Sequence, residues 1–331
     1  MEDAAWLYSV ELPVLEQSAA ERGRAATAGL LVVLSRLTGL SSVPRSDLIV
    51  DALARPQLYY NRFVFVSEED AEGAEQLYMR VTFQAAAVQK LIRQAQLPVW
   101  WTKRHRILAW TVVDEAGRRE ILNSASTHPV AQALQHAAQQ RGLPLSMPLM
   151  DLDDQLAVSA ADVWGKVGHS LDAAAKRYAA DLVLIGRISR NPGYLLTDQP
   201  YRGDWEVWID GQPIVVSFDA ADAQQAATEV VDVVAQRLAE KFAVLPRQRY
   251  AQRVLITGLN DAARYAEFMA YLGSLEFVDN VGVSALDSRA LHIWIDSSAL
   301  PDQLEMLLTT EGRLVRDKLH RGLDLALIWR G

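Results

Sequence analysis

The chain has 331 residues, a formal net charge of −8 and no cysteine, and half of it is apolar. The length favours two or three domains, and the absence of cysteine excludes disulfides, thiolate catalysis and Cys-ligated zinc. The acidic balance lacks the electrostatic footprint of a nucleic-acid binder, and the longest apolar runs, such as AGLLVVL at 28–34, fall short of a bilayer span.

The N-terminus, MEDAAWLYSVELPV, carries neither a basic n-region nor an apolar h-region. It enters a strand pattern at WLYSVEL. A helix follows, with Ser18 and Glu21 at capping-box spacing, Leu30, Val33, Leu34 and Leu37 repeating at i, i+3, i+4, i+7, and Gly39 as its C′ residue. After a short helix near 46–54, NRFVFV and LYMRVTF alternate as two strands around an acidic hairpin loop, EEDAEG at 68–73. A helix from about 84 to 96 ends before Pro98. Residues 1–98 thus read as a βαββα N-terminal domain.

Residues 99–245 read as a mixed-sheet α/β domain. ILAWTVV opens it as a strand, Thr127 and Pro129 mark a helix start, and Arg141-Gly142 close that helix. LPLSMPLM, a helical region ending at AAAKRYAA, and the buried-strand pattern LVLIGRI come next. WEVWI and IVVSF are joined by Asp210-Gly211, a hairpin signal, and a long helix runs from Asp219 to about Phe242. Alternating strands and helices argue for some parallel pairing. VLPRQRYAQR at 244–253 is the linker. Beyond it, residues 246–331 give β-α-β-β-α-β, the ferredoxin-like order, whose first five elements residues 1–98 echo in topology alone.

The residue types that carry chemistry do not assemble into a motif. Asp151, Asp153 and Asp154 lie directly behind a Pro-bounded apolar stretch, where a hard cation or an acid/base pair is one reading. The EF-hand offsets are absent, and the neighbouring strand LVLIGRISR offers only arginines, so the plainer reading is an acidic loop capping a helix that begins near Ser159. His105, His128, His136, His169, His292 and His320 form neither HExxH nor an i, i+4 pair. No GxSxG, GxGxxG or Walker pattern exists, and GRISRNPG is a turn with the wrong spacing for phosphate. No catalytic residue, metal site or cofactor is expected.

Two aromatic-basic stretches remain. WWTKRHR at 100–106 reads as a domain junction with Trp100 and Trp101 packed and Lys103, Arg104 and Arg106 solvated. WEVWI cannot put Trp205 and Trp208 on one strand face, so one is core and the other is exposed or covered by a neighbouring domain. In LHIWID, Leu291, Ile293 and Ile295 face helices while His292, Trp294 and Asp296 take the opposite face, joined by Arg253, Leu255 and Thr257. Arg253, His292 and Trp294 are the candidate partner-docking surface. The RNP1 pattern of RNA-binding sheets is missing.

Four stretches together, LPVWWTKRHRILAW, RGLPLSMPLMDLDD, AAAKRYAADLVLIGRI and GDWEVWIDG, resemble a proteobacterial envelope family known only as domain of unknown function two-thousand-and-sixty-six. YLGSLEFVDNVGV and LTTEGRLVRD extend the likeness over most of the chain. The resemblance implies a periplasmic protein whose signal peptide has been removed. The middle unit is similar to the N-terminal α/β domain of TolB, on a helix ending before RG, a strand leading to an acidic loop, and RYAADLVLIGRI. That resemblance implies binding to other envelope components and transfers no catalytic residue. The last unit is similar, in topology alone, to docking modules of secretion and flagellar machinery.

These readings lead to a non-enzymatic periplasmic adaptor or scaffold acting on envelope protein partners, without nucleic acid and without a membrane span. The alternative is a metal- or small-ligand-binding protein, or an enzyme, using Asp151, Asp153 and Asp154.

Overall fold

A computed structural model describes residues 4–69, 75–101, 103–190, 199–246, 249–286, 290–318 and 325–331. It is a mixed α/β protein, and the described residues form three sheets of three or more strands, one in each expected unit. Parts of the expected turns at 68–73 and 186–193, part of the linker, and His320 lie outside the described residues.

The first unit runs β1 (Ser9–Pro13), α1 (Ala19–Thr38), α2 (Asp47–Ala54), β2 (Tyr60–Glu69), β3 (Glu75–Phe83) and α3 (Ala85–Gln94). Ala4–Tyr8 form a 3-10 turn rather than the expected start of a strand, since Leu7 and Tyr8 turn into the core. Ser18 caps α1 by accepting the Glu21 N–H at 3.2 Å, and Gly39 ends it at φ 75°. The capping box is only half made. Glu21 is drawn into an ion pair with Arg24 and accepts the Leu15 N–H instead of that of Ser18. The sheet is antiparallel in the order β1-β3-β2, and Leu30, Val33, Leu34 and Leu37 of α1 pack on it with Met79, Val81 and Phe83.

The second unit begins with β4 (Val99–Trp100), β5 (Ile107–Glu115), β6 (Arg118–Ile121), α4 (Pro129–Arg141) and β7 (Leu145–Ser146). Three short helices follow, α5 (Leu152–Ala157), α6 (Ala160–Trp164) and α7 (Gly168–Ala175). Then come β8 (Leu182–Arg190), β9 (Tyr201–Ile209), β10 (Gln212–Ala220), α8 (Ala223–Phe242) and β11 (Ala243–Val244). α8 starts later than expected because β10 continues through Ala220 and Asp222 supplies the cap, accepting the Gln225 N–H at 2.7 Å. The sheet order is β10-β9-β8-β5-β6, with β7 also on β5. β5 and β8 are parallel, and Ile107 to Val113 are buried without a break, as expected of a strand covered on both faces. α4 and α8 cover one face; α6 and α7 cover the other over Leu108, Trp110 and Ile185. Asp210 and Gly211, both in the left-handed region at φ 54° and 72°, make the β9–β10 turn.

The third unit runs β12 (Tyr250–Thr257), α9 (Ala262–Gly273), β13 (Asn280–Leu286), β14 (Ala290–Ser297), α10 (Pro301–Thr309), β15 (Leu314–Arg316) and β16 (Leu325–Trp329). The expected β-α-β-β-α frame is present, and its order β12-β14-β13 matches β1-β3-β2 of the first unit. The end of the frame departs from a ferredoxin-like sheet. Two strands follow α10 instead of one, and β16 inserts parallel to β12 with β15 outside it. The additional strand comes from LVR in EGRLVRD, where Leu314 is buried. Val254, Ile256, Leu291, Ile293 and Ile295 face α9 and α10 as expected.

The units are tied by their connections. β4 and β11, the entry to and exit from the second unit, pair antiparallel as a two-strand ribbon. Trp101 meets Phe277 of the third unit edge-on at 5.4 Å, and Gln303 on α10 donates to the carbonyls of Lys241 and Ala243. Among the described residues no helix is long and apolar enough to cross a membrane.

Candidate functional site

The acidic strand exit folds in on itself. Asp151 is the N-cap of α5 and accepts the Asp154 N–H at 3.2 Å. The Asp154 side chain turns inward and is buried, although it lies in a loop-and-helix segment that is otherwise exposed. Arg177, from the turn after α7, donates to Asp151 Oδ1 at 2.6 Å and to Asp154 Oδ1 at 3.0 Å, and also pairs with Asp151 Oδ2. The Tyr178 hydroxyl donates to Asp154 Oδ2, which also accepts the Met150 N–H at 2.9 Å. The Leu149 N–H in turn donates to the Tyr178 hydroxyl. Hydrogen bonding from Arg177, then from the Asp154 N–H, holds Asp151 at about 2, well below the usual carboxylate range.

Asp153 is exposed and stands apart from this cluster. The helix cap expected of the acidic loop therefore falls on α5, one element earlier than Ser159. Ser159 caps α6 itself, in a full capping box with Asp162. Arg177 and Tyr178 were not expected here. Their only trace in the sequence is the KRY that precedes the buried strand β8. Among the described residues no three His, Asp or Glu side chains converge in a way that could hold a metal ion.

A second charge network spans β8, β9 and the turn after α6. Lys166 reaches Glu206 at 2.9 Å and also pairs with Asp204, whose other oxygen accepts from Arg187 Nε at 2.6 Å. Burial works against ionisation of Asp204, but hydrogen bonds from Lys166 and Arg187 outweigh it and leave its carboxyl below the usual range. The charges of the network are engaged with one another.

The junction stretch behaves as expected for its aromatics and differently for one arginine. Trp100 and Trp101 are buried, Lys103 pairs with Glu311, and Arg106 with Asp181. Arg104 is not solvated. It is buried with its guanidinium 3.9 Å from the Trp100 ring centre and donates to the Arg36 carbonyl at 2.8 Å. Burial lowers it to about 9, against the opposing pull of Glu276 and Tyr8. Those two residues line a cavity of about 170 Å³ where the three units meet, floored by Leu97, Trp100 and Phe277.

The histidines are scattered. His105 packs on Phe242 at 4.5 Å, His128 caps α4 by accepting the Val130 N–H at Nδ1, and His136 contacts Gln140. His128, rather than Thr127, is thus the residue that starts α4.

On the third sheet, Arg253 and Trp294 stand directly opposite each other on β12 and β14, and Trp294 faces Gly282 on β13. A Cβ on Gly282 would lie 2.1 to 2.3 Å from indole atoms, so the ring lies across the glycine backbone. Arg253 is exposed, while His292 and Trp294 are half-buried. The structure brings these three expected residues onto one face. It does not leave that face fully open. Leu255, expected on it, is buried opposite Ala326, which β16 brings alongside. Trp205 and Trp208 divide as expected, the first fully buried over Gly186 and the second outward beside Glu206.

Residues 2–101 match the model of a family described as Domain of unknown function (DUF8605). No curated protein matches the chain. Among solved structures the chain is similar to a competence-damaged protein (CinA) superfamily protein from Escherichia coli, at 18% identity and a TM-score of 0.23, covering 46% of this chain and 86% of that one.

Proposed function

We propose that this chain is a non-enzymatic adaptor that works through protein–protein contacts, and that its setting is the Gram-negative periplasm, as its resemblance to an envelope family and to the TolB N-terminal domain implies. The observation that supports the reading is the surface of Arg253, His292 and Trp294, an indole seated on Gly282 between a cation and an imidazole. Aromatic and arginine side chains at the centre of a patch are the usual anchors of protein interfaces. The acidic strand exit supports it indirectly, because the Asp151 and Asp154 carboxylates are engaged by Arg177, Tyr178 and backbone N–H groups.

Gentle crosslinking in envelope extracts, comparing the wild type with a Trp294→Ala, Arg253→Glu variant, tests the reading. A partner recovered by the wild type and lost by the variant supports it. An identical set of partners, or none, removes its basis. Salt-sensitive oligonucleotide retention that weakens in the same variant points instead to nucleic acid.

A further inference from the structure

α5 is inverted. Its one buried residue is Asp154, 2% exposed, whereas Leu152 and Leu156, one turn apart, are 70% and 79% exposed. Leu149, three residues upstream, is 57% exposed. A surface helix ordinarily turns its apolar stripe to the core and its charges to water. Here the opposite arrangement is built and held. Asp154 is fixed inside by Arg177, Tyr178 and the Met150 N–H, and Asp151, which caps the helix by accepting the Asp154 N–H, pairs with the same arginine. Rotating the helix to bury the leucines would break all of these contacts and expose a desolvated carboxylate's partners. A buried carboxylate is costly unless fully engaged. The fold therefore spends a paired aspartate, an arginine and a tyrosine on keeping the leucines outward.

We propose that Leu149, Leu152 and Leu156 form a docking ridge for a basic amphipathic helix of a partner protein. Leu152 and Leu156 are four apart on one helix, the row that packs into the groove of another helix. Charge selects the partner. Asp153 stands exposed at the flank of the leucine row and forms no ion pair among the described residues, and the chain carries a formal charge of −8. A second copy would set like charge against like, and so would an anionic lipid surface. An apolar stripe flanked by Lys or Arg matches both features of the ridge. The site lies on the second unit and is independent of the Trp294 surface.

The test uses the full chain and two fluorescent amphipathic helical peptides, one of Leu and Lys and one of Leu and Glu, read by anisotropy at low and raised salt. The wild type should bind the Leu/Lys peptide, and Leu152→Ser with Leu156→Ser should weaken that binding by about tenfold or more. The double variant keeps all charges, so general attraction to an acidic protein is unaffected by it. Trp294→Ala should bind as the wild type does, which separates this ridge from the adaptor surface above. Equal binding by the double variant, comparable binding of the Leu/Glu peptide, or no binding by the wild type each overturns the proposal. So does a wild-type dimer in sedimentation that the double variant abolishes, since the ridge would then be a self-contact.

Discussion

Arg36 and Arg141 cap each other's helices. Arg36, near the end of α1, donates from Nε to the Gln139 carbonyl in the last turn of α4 at 2.7 Å. Arg141, the last residue of α4, donates to the Gly39 and Leu40 carbonyls just past α1, at 3.0 and 2.8 Å, and to Ser35 Oγ. Each cation sits at the negative end of a helix macrodipole. Arg36 also donates to the carbonyls of Trp6 and Ser9, and Arg141 Nε lies 2.9 Å from Asp232 on α8. The first unit is thereby fastened to the second by guanidinium groups on backbone oxygens. Burial alone lowers Arg36 to about 10.

Removing Arg36 takes a donor from the Trp6, Leu7, Ser9 and Gln139 carbonyls, and removing Arg141 takes one from those of Gly39 and Leu40. Arg36→Ala or Arg141→Ala should each cost about 3 kcal/mol, since a charge-assisted bond is lost and its acceptors stay desolvated. Urea melts of the two single variants and the double variant check this. The double variant should lose less than the sum of the singles, because both arginines secure the contact between the ends of α1 and α4.

Two glycines lie beneath two tryptophans by the same device. Gly186 on β8 is directly opposite Trp205 on β9, and Gly282 on β13 is directly opposite Trp294. A Cβ at Gly186 would come within 2.2 Å of the Trp205 ring, which is fully buried and donates to the Ala226 carbonyl at 3.0 Å. Gly186→Ala should destabilise by about 2 kcal/mol through overpacking. At Gly282 the displaced indole can swing outward into water, so Gly282→Ala should cost less and shift the tryptophan emission to the red. Calorimetry and fluorescence of the two variants distinguish these outcomes.

Much of this architecture follows from local pattern. Gly39 after the LLVVL periodicity, Asp210-Gly211 between two strands, and the alternation of Leu291, Ile293 and Ile295 each declare themselves within a few residues. The unread parts depend on contacts far apart in the chain. Arg177 meets Asp151 across 26 residues, and Arg141 meets Gly39 across 102. Arg104 looks solvated in WWTKRHR, because only the fold shows that the Trp100 ring and the Arg36 carbonyl receive it. The two-residue strands β4, β7 and β11 are too short to show any alternation.

His105 gives the fold a pH dependence of definite sign. Desolvation against Phe242 is the main cause that lowers it below its ordinary 6.5, outweighing Asp181, and Lys241 adds to the lowering. The unfolded chain therefore takes up this proton at a higher pH than the folded one does. Stability should be unaffected above the ordinary value and decline as pH falls through it towards the folded value. His105→Phe should flatten that part of the profile, measured as thermal midpoints between pH 7.5 and about 5.

The acidic cluster at the strand exit separates a structural lock from a reactive site by rank order. Asp154 is buried with three partners, so Asp154→Ala leaves Tyr178, the Met150 N–H and half of Arg177 unsatisfied, and should cost about 3 kcal/mol. Asp151 is solvent-facing, and Asp151→Ala should cost clearly less, through the lost cap and ion pair. Asp153→Ala should leave stability unchanged. Asp151 ordinarily titrates near 3.8 and is held at about 2, so its contribution is complete above the ordinary value and is lost as pH falls through about 2. A cation-binding triad would show a different pattern. There the carboxylates repel one another, removing any one of them stabilises the protein without metal, and Asp153 matters as much as its neighbours. Denaturant midpoints of the three single variants, measured with and without chelator, decide between the two patterns.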